Sequence, residues 1–157
     1  MTTPGPGQPV TAGLIGAGRM GSFHAETLAR RLPGTRLAAI ADPAPGAAQQ
    51  LADRLGCARA LTDPGQLLAD PAIDAVVIAT PARTHAGLTE AAARAGKAVY
   101  CEKPMALTLA DADRAIAAAG QAGVGAGRGG DHHRVDGGVG EQLAGVGQRP
   151  GTAQPIR

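Results

Sequence analysis

Aromatic side chains are almost absent: the 157-residue chain has no Trp, one Phe and one Tyr. A core of ordinary size must therefore be built from Ala, Leu, Val and Ile. Only two cysteines occur, Cys57 and Cys101, far apart and in no C-x-x-C or metal-ligand spacing. They read as separate thiols of a reducing cytoplasm, with no metal site. No apolar run approaches the ~20 residues that a membrane-spanning helix needs. The opening residues 1–9, MTTPGPGQP, contain no positive residue and no apolar stretch, so they read as a flexible leader and not a signal peptide. The net charge of +2 comes without a basic cluster or interleaved aromatics, which argues against a nucleic-acid partner. A soluble cytoplasmic protein is expected.

Glycine, by contrast, is plentiful, and three of the 24 fall in the order G-x-G-x-x-G: Gly16, Ala17, Gly18, Arg19, Met20, Gly21. The spacing alone is weak evidence in so glycine-rich a chain, but its context is specific. The apolar run Ala12, Gly13, Leu14, Ile15 leads in, and helical spacing follows through Met20, Phe23, His24, Thr27, Leu28 and Arg31. A second apolar run from Leu37 to Ala41 ends on Asp42, 21 residues past the last glycine. Strand, glycine turn, helix, strand and acid in this order form a dinucleotide-binding fingerprint. Gly16 permits the tight turn, Gly18 lets the backbone approach a pyrophosphate, and Gly21 lets the helix pack close to the strand. The helix then offers free N–H groups to the phosphates, and Asp42 is placed to accept hydrogen bonds from a ribose diol.

Downstream, the pattern alternates. Residues 46–55 read as a helix closed by Gly56, residues 58–61 as a short strand, and residues 64–69 as a helix capped by Thr62 or Asp63 with Pro64 at its first position. The β-branched run Ile73 to Ala79 suits a parallel strand covered on both faces. It ends at Thr80-Pro81, and His85 opens a helix that runs to Ala95. Residues 98–101 form a further strand ending in Glu102-Lys103-Pro104, and Thr108 caps a helix over residues 109–121 with Asp111 and Asp113 in its first turn. The predicted fold is α/β, a Rossmann-type doubly wound parallel sheet with helices on both faces. Right-handed crossovers bring every strand's carboxyl end to one edge. That edge collects the glycine turn, Asp42, the stretch from Thr80 to His85, and Glu102-Lys103-Pro104.

These residues together resemble the Gfo/Idh/MocA oxidoreductases, the family of glucose–fructose oxidoreductase and inositol dehydrogenase. The matching residues are GAGRMG at 16–21, His24, Ala41-Asp42, DAVVIATP at 74–81, Thr84-His85, Ala95-Gly96-Lys97 and CEKP at 101–104. The likeness covers about residues 10–123, and Arg30-Arg31-Leu32-Pro33-Gly34 looks most like bacterial inositol 2-dehydrogenases. It implies NAD-dependent oxidation of a secondary alcohol on a small-molecule sugar or polyol. The candidate catalytic residue is then Lys103, whose ammonium would orient or help deprotonate the alcohol. Glu102 would position the cofactor or Lys103, and Thr80 and Pro81 would contact the ribose and nicotinamide side. His85 has two readings, a polar group facing the cofactor or a first-turn residue satisfied by a backbone carbonyl. His24 reads as structural. Asp42, with no adjacent arginine, favours NAD over NADP.

Family members carry a second α/β domain that completes the catalytic group, and the sequence after residue 123 does not resemble one. Twelve of the glycines lie in the last 38 residues, so residues 124–157 are expected to be a largely disordered tail. His132-His133 and residues 151–157 are faint echoes of the family there. The expectation is a truncated or frameshifted copy without its C-terminal substrate domain. The alternative is a catalytically inactive NAD-binding module acting as a sensor or interaction subunit.

Overall fold

A computed structural model of the chain describes residues 8–56 and 58–121. Cys57, the residues before 8 and the glycine-rich stretch after 121, with His132 and His133, lie outside the described residues. Five strands, β1 (Val10–Ile15), β2 (Thr35–Ala41), β3 (Arg59–Leu61), β4 (Ala75–Ile78) and β5 (Ala98–Cys101), form one parallel sheet in the order β3-β2-β1-β4-β5. Five helices alternate with them: α1 (Arg19–Arg30), α2 (Ala47–Leu55), α3 (Pro64–Ala69), α4 (His85–Arg94) and α5 (Leu109–Gln121). The chain moves outward from β1 to β3, then crosses back to β4 beside β1. The strand order therefore reverses between β1 and β4, where sheets of this type bind ligands.

Side chains alternate along β1 and β4, and a register shift of β2 opposite Ala12 and Gly13 puts both Leu37 and Ile40 on one face. Leu14, Leu37, Ile40 and Val77 meet α1 and α2 through Ala25, Leu28, Leu51 and Ala52 on one face. Ile15, Ala39, Ala41, Val76 and Ile78 meet Leu67, Leu68 and Ala92 of α3 and α4 on the other. Both layers are built without an aromatic side chain, as the composition requires. The caps follow local chemistry: Asp63 accepts from the Gly65 N–H at 2.8 Å, Gly56 ends α2 at φ 63°, and the Thr108 hydroxyl accepts from the Asp111 N–H at 3.1 Å.

Two expectations shift, and α1 adds a feature that the spacing leaves open: its buried face is Gly21, Ala25 and Leu28, while Phe23 is 59% exposed. The face opens on a glycine because the first turn of the helix lies too close to the Gly16 carbonyl for any side chain. The fourth strand is shorter than the apolar run suggests, because the Asp74 carboxylate turns back to accept from the Thr11 N–H at 2.8 Å. Asp113 falls beyond the first turn of α5, which holds Asp111 alone.

Lys97, at the entry to β5, is 6% exposed. Its Nζ donates to the carbonyls of Asp70 at 2.6 Å and Ile73 at 2.8 Å. This pins the chain leaving α3 to the start of β5 at the amino edge of the sheet. Replacing Lys97 by Met removes the Nζ donor from both carbonyls, leaving that of Asp70 only the Ile73 N–H, and is expected to lower stability by about 1–3 kcal/mol. Urea unfolding of the variant against the wild type measures this, and an unchanged midpoint would contradict it.

Candidate functional site

The carboxyl edge of β1 turns at Gly16, whose φ of 102° favours glycine. A Cβ there would also lie 2.7 Å from the Ala79 carbonyl oxygen, and one on Gly21 would lie 1.8 Å from that of Gly16. Both glycines are thus demanded by the protein's own packing. Gly18 is different. It has an ordinary φ of −68°, and a Cβ on it would meet nothing within 4 Å. The cradle is open at the one glycine whose backbone, in such turns, comes closest to a pyrophosphate.

Helix α1 begins directly behind this turn, and the Ser22 N–H bond to the Gly18 carbonyl, at 2.8 Å, is its first. The N–H groups of Arg19, Met20 and Gly21 precede that bond, so the helix supplies them no carbonyl. The first turn contains no acid to compete for them and carries Arg19. Donors, dipole and charge all suit a bound anion.

Asp42 follows β2 and does more than the sequence suggests. One carboxylate oxygen accepts from the Ala17 N–H at 2.6 Å and the other from the Ala44 N–H at 2.8 Å. The acid expected to meet a ribose also braces the glycine turn. Each oxygen keeps a lone pair for a diol.

After β4, the Thr84 hydroxyl donates to the Pro81 carbonyl at 2.8 Å, so the 2.7 Å contact between the two threonine hydroxyls is donated by Thr80. His85, 1% exposed, opens α4 with its ring between two carbonyls. Nδ1 lies 2.7 Å from the Pro104 oxygen and Nε2 lies 2.7 Å from that of Thr80. A carbonyl only accepts, so each contact is made when the facing nitrogen carries hydrogen. Both readings of His85 start from this position: the ring lies between the turn after β4 and the turn after β5, and a ring with hydrogen on one nitrogen donates to the carbonyl that nitrogen faces.

Glu102 leaves β5 with its N–H on the Ile78 carbonyl at 3.0 Å. Its side chain reaches α1, where Oε1 accepts from His24 Nε2 at 2.7 Å, and Oε2 accepts from the Lys103 N–H at 3.3 Å. The hydrogen bond from His24, aided by that of Lys103, holds the Glu102 carboxyl below the usual carboxylate range. Lys103 precedes a cis peptide bond to Pro104, is exposed, and forms no ion pair among the described residues. The His24 ring makes edge contacts with Phe23 and Tyr100, centroids 5.8 and 5.5 Å away. Sequence reasoning left Tyr100 out of the site and gave His24 no partner. Among the described residues no three His, Cys, Asp or Glu side chains converge as a metal site, and no helix is long and apolar enough to cross a membrane.

The comparisons agree with this geometry. A family model described as an oxidoreductase family with an NAD-binding Rossmann fold matches residues 10–134. The chain is 39% identical over 115 residues to scyllo-inositol 2-dehydrogenase (NAD(+)) of Bacillus subtilis, covering 73% of this chain and 34% of that protein. It is 49% identical over 105 residues to inositol 2-dehydrogenase of Rhizobium meliloti, covering 67% and 30%. Among solved structures, scyllo-inositol dehydrogenase from Lactobacillus casei with bound NAD(H) and scyllo-inositol superposes with a TM-score of 0.70 at 28% identity, over 74% of this chain and 34% of the other. The chain thus spans about a third of the length of the relatives it matches.

Because its folded carboxyl is held low, Glu102 contributes stability that is present above its unfolded value, about 4.3, and lost as the pH falls through the folded one. The advantage of wild type over Glu102→Gln in urea midpoint is therefore expected above about pH 5 and should shrink below it. A difference independent of pH from 7 to 3 would contradict the assignment.

Proposed function

The chain belongs to the Gfo/Idh/MocA oxidoreductase family, and from that premise we propose that its described residues form the cofactor-holding part of an NAD-dependent oxidoreductase acting on a secondary alcohol of a cyclitol or sugar, of the inositol 2-dehydrogenase type. One observation carries the reading. Asp42, the glycine turn, Thr80-Pro81 and Glu102-Lys103 follow one another along the carboxyl edge in the spatial order of their strands, β2, β1, β4 and β5. A dinucleotide laid along that edge meets them in the order of its own parts: ribose, pyrophosphate, second ribose, nicotinamide.

Each residue then has a task that its geometry suits. Asp42 accepts from the adenosine ribose diol with the lone pairs that Ala17 and Ala44 leave free. Gly18 and the N–H groups of Arg19, Met20 and Gly21 hold the pyrophosphate. Thr80 has given its hydroxyl hydrogen to Thr84, so its oxygen is left to accept from the ligand. Bound NAD supplies the acceptor for the hydride leaving the alcohol carbon. Lys103, exposed at the end of β5, donates a hydrogen bond from its ammonium to the reacting oxygen and steadies the negative charge that develops there as the hydroxyl proton passes to solvent water. Asp42, placed where a 2′-phosphate would meet a carboxylate, supports NAD in preference to NADP.

Gly18→Val tests the cradle. With space around the Cβ, the variant should keep its melting temperature within a few degrees while losing about tenfold or more in NADH affinity, as the side chain enters the path of the pyrophosphate. Calorimetric titration measures this, and equal affinities would remove the pyrophosphate from Gly18. Lys103→Met should weaken NADH by no more than about tenfold and lower inositol-dependent NAD reduction by about 100-fold or more, the scale of a lost acid–base group. Unchanged turnover would take Lys103 out of the chemistry.

A further inference from the structure

The chain's one Phe and one Tyr are both more than half exposed, Phe23 at 59% and Tyr100 at 56%, so neither serves the core. Both are instead placed against His24. Phe23 contacts the ring at an interplanar angle of 71° and Tyr100 at 64°, edge-to-face arrangements that fix a ring's tilt as well as its position. The fixed ring directs Nε2 at Glu102 across 78 residues of sequence, with both side chains largely covered.

Glu102 has little freedom of its own. Its N–H is committed to β4 through the Ile78 carbonyl, and its second carboxylate oxygen holds the N–H of Lys103. The pair therefore joins two parts of the edge that the backbone does not connect. One is α1, whose first turn faces the pyrophosphate path. The other is the turn from which Lys103 leaves the sheet.

We infer that His24 is a positioning residue for Lys103: through Glu102 it ties the direction of the Lys103 turn to the helix that holds the cofactor. The inference rests on the proposed cofactor site. It differs from a purely structural role in acting on the nicotinamide end of the ligand and not on the adenosine end. Without His24 the Glu102 carboxylate loses its charge-assisted bond and turns to solvent, and the Lys103 N–H loses a fixed acceptor.

NADH and ADP-ribose separate the two roles, since ADP-ribose keeps the adenosine, both phosphates and a ribose but lacks the nicotinamide. In calorimetric titrations, His24→Leu should weaken NADH by about five- to tenfold, the net range of one hydrogen bond, and ADP-ribose by less than about twofold. His24→Gln, whose amide N–H can still reach Glu102, should recover NADH affinity to within about twofold of wild type. Glu102→Ala carries the same expectation as His24→Leu and replaces it if that variant does not fold. The double variant should lose no more than either single one, because both remove the same link.

Equal losses for the two ligands, an unchanged NADH affinity, or no recovery by Gln would each overturn the inference while leaving the cofactor site standing. A wild-type chain that binds neither ligand would overturn the cofactor reading, and this inference with it.

Discussion

The close seating of α1 on the turn that ends β1 is the constraint from which the candidate site follows. Gly21 faces the Gly16 carbonyl with no room for a single carbon atom between them. At that distance the helix axis, the strand end and the first-turn N–H groups move as one piece. Ala25 and Leu28, further along the same face, continue the contact into the core, so the orientation of the helix's amino end is maintained by apolar packing two turns away. Phe23 and His24 are placed by the same geometry: a helix that buries residues 21, 25 and 28 turns them aside, toward the end of β5.

The loops of the carboxyl edge are braced against one another by side chains. Asp42, after β2, holds the turn after β1; His85, on α4, holds those after β4 and β5; Glu102, after β5, is held from α1. Each brace pairs a side chain with a backbone or side-chain group from another element, so the edge is ordered by the protein's own bonds. A site organised in this way loses less conformational freedom when a ligand arrives. It also keeps Gly18, the least crowded point, in a defined position with nothing of the protein in front of it.

What could be read from the sequence is what neighbours along the chain decide. The turn glycines, Asp42 at a strand end, the caps at Asp63 and Thr108 and the parallel sheet all rest on residues a few positions apart or on strand periodicity. The buried face of α1 was not legible because Gly21 and Ala25 set it, and small residues carry almost no hydrophobic signal. The partners of His24, His85 and Lys97 were not legible for another reason. Their bonds span 78, 19 and 27 residues, and only the completed sheet brings those positions together. His85 shows the limit well: its residue type and helix-start position allow two roles, and the two carbonyls its ring meets belong to different turns.

The contrast between the two lysines gives the molecule a chemical handle. The chain has thirteen arginines and only Lys97 and Lys103 as side-chain amines. The first is sealed between two carbonyls at the amino edge, and the second stands in solvent at the carboxyl edge. An amine-selective reagent applied to the folded protein thus finds a single reachable side chain, besides the α-amino group, at the carboxyl edge of the sheet. A fluorophore or isotopic acyl group placed there would report on one residue without mutation, and the sealed lysine would register unfolding by becoming modifiable in its turn.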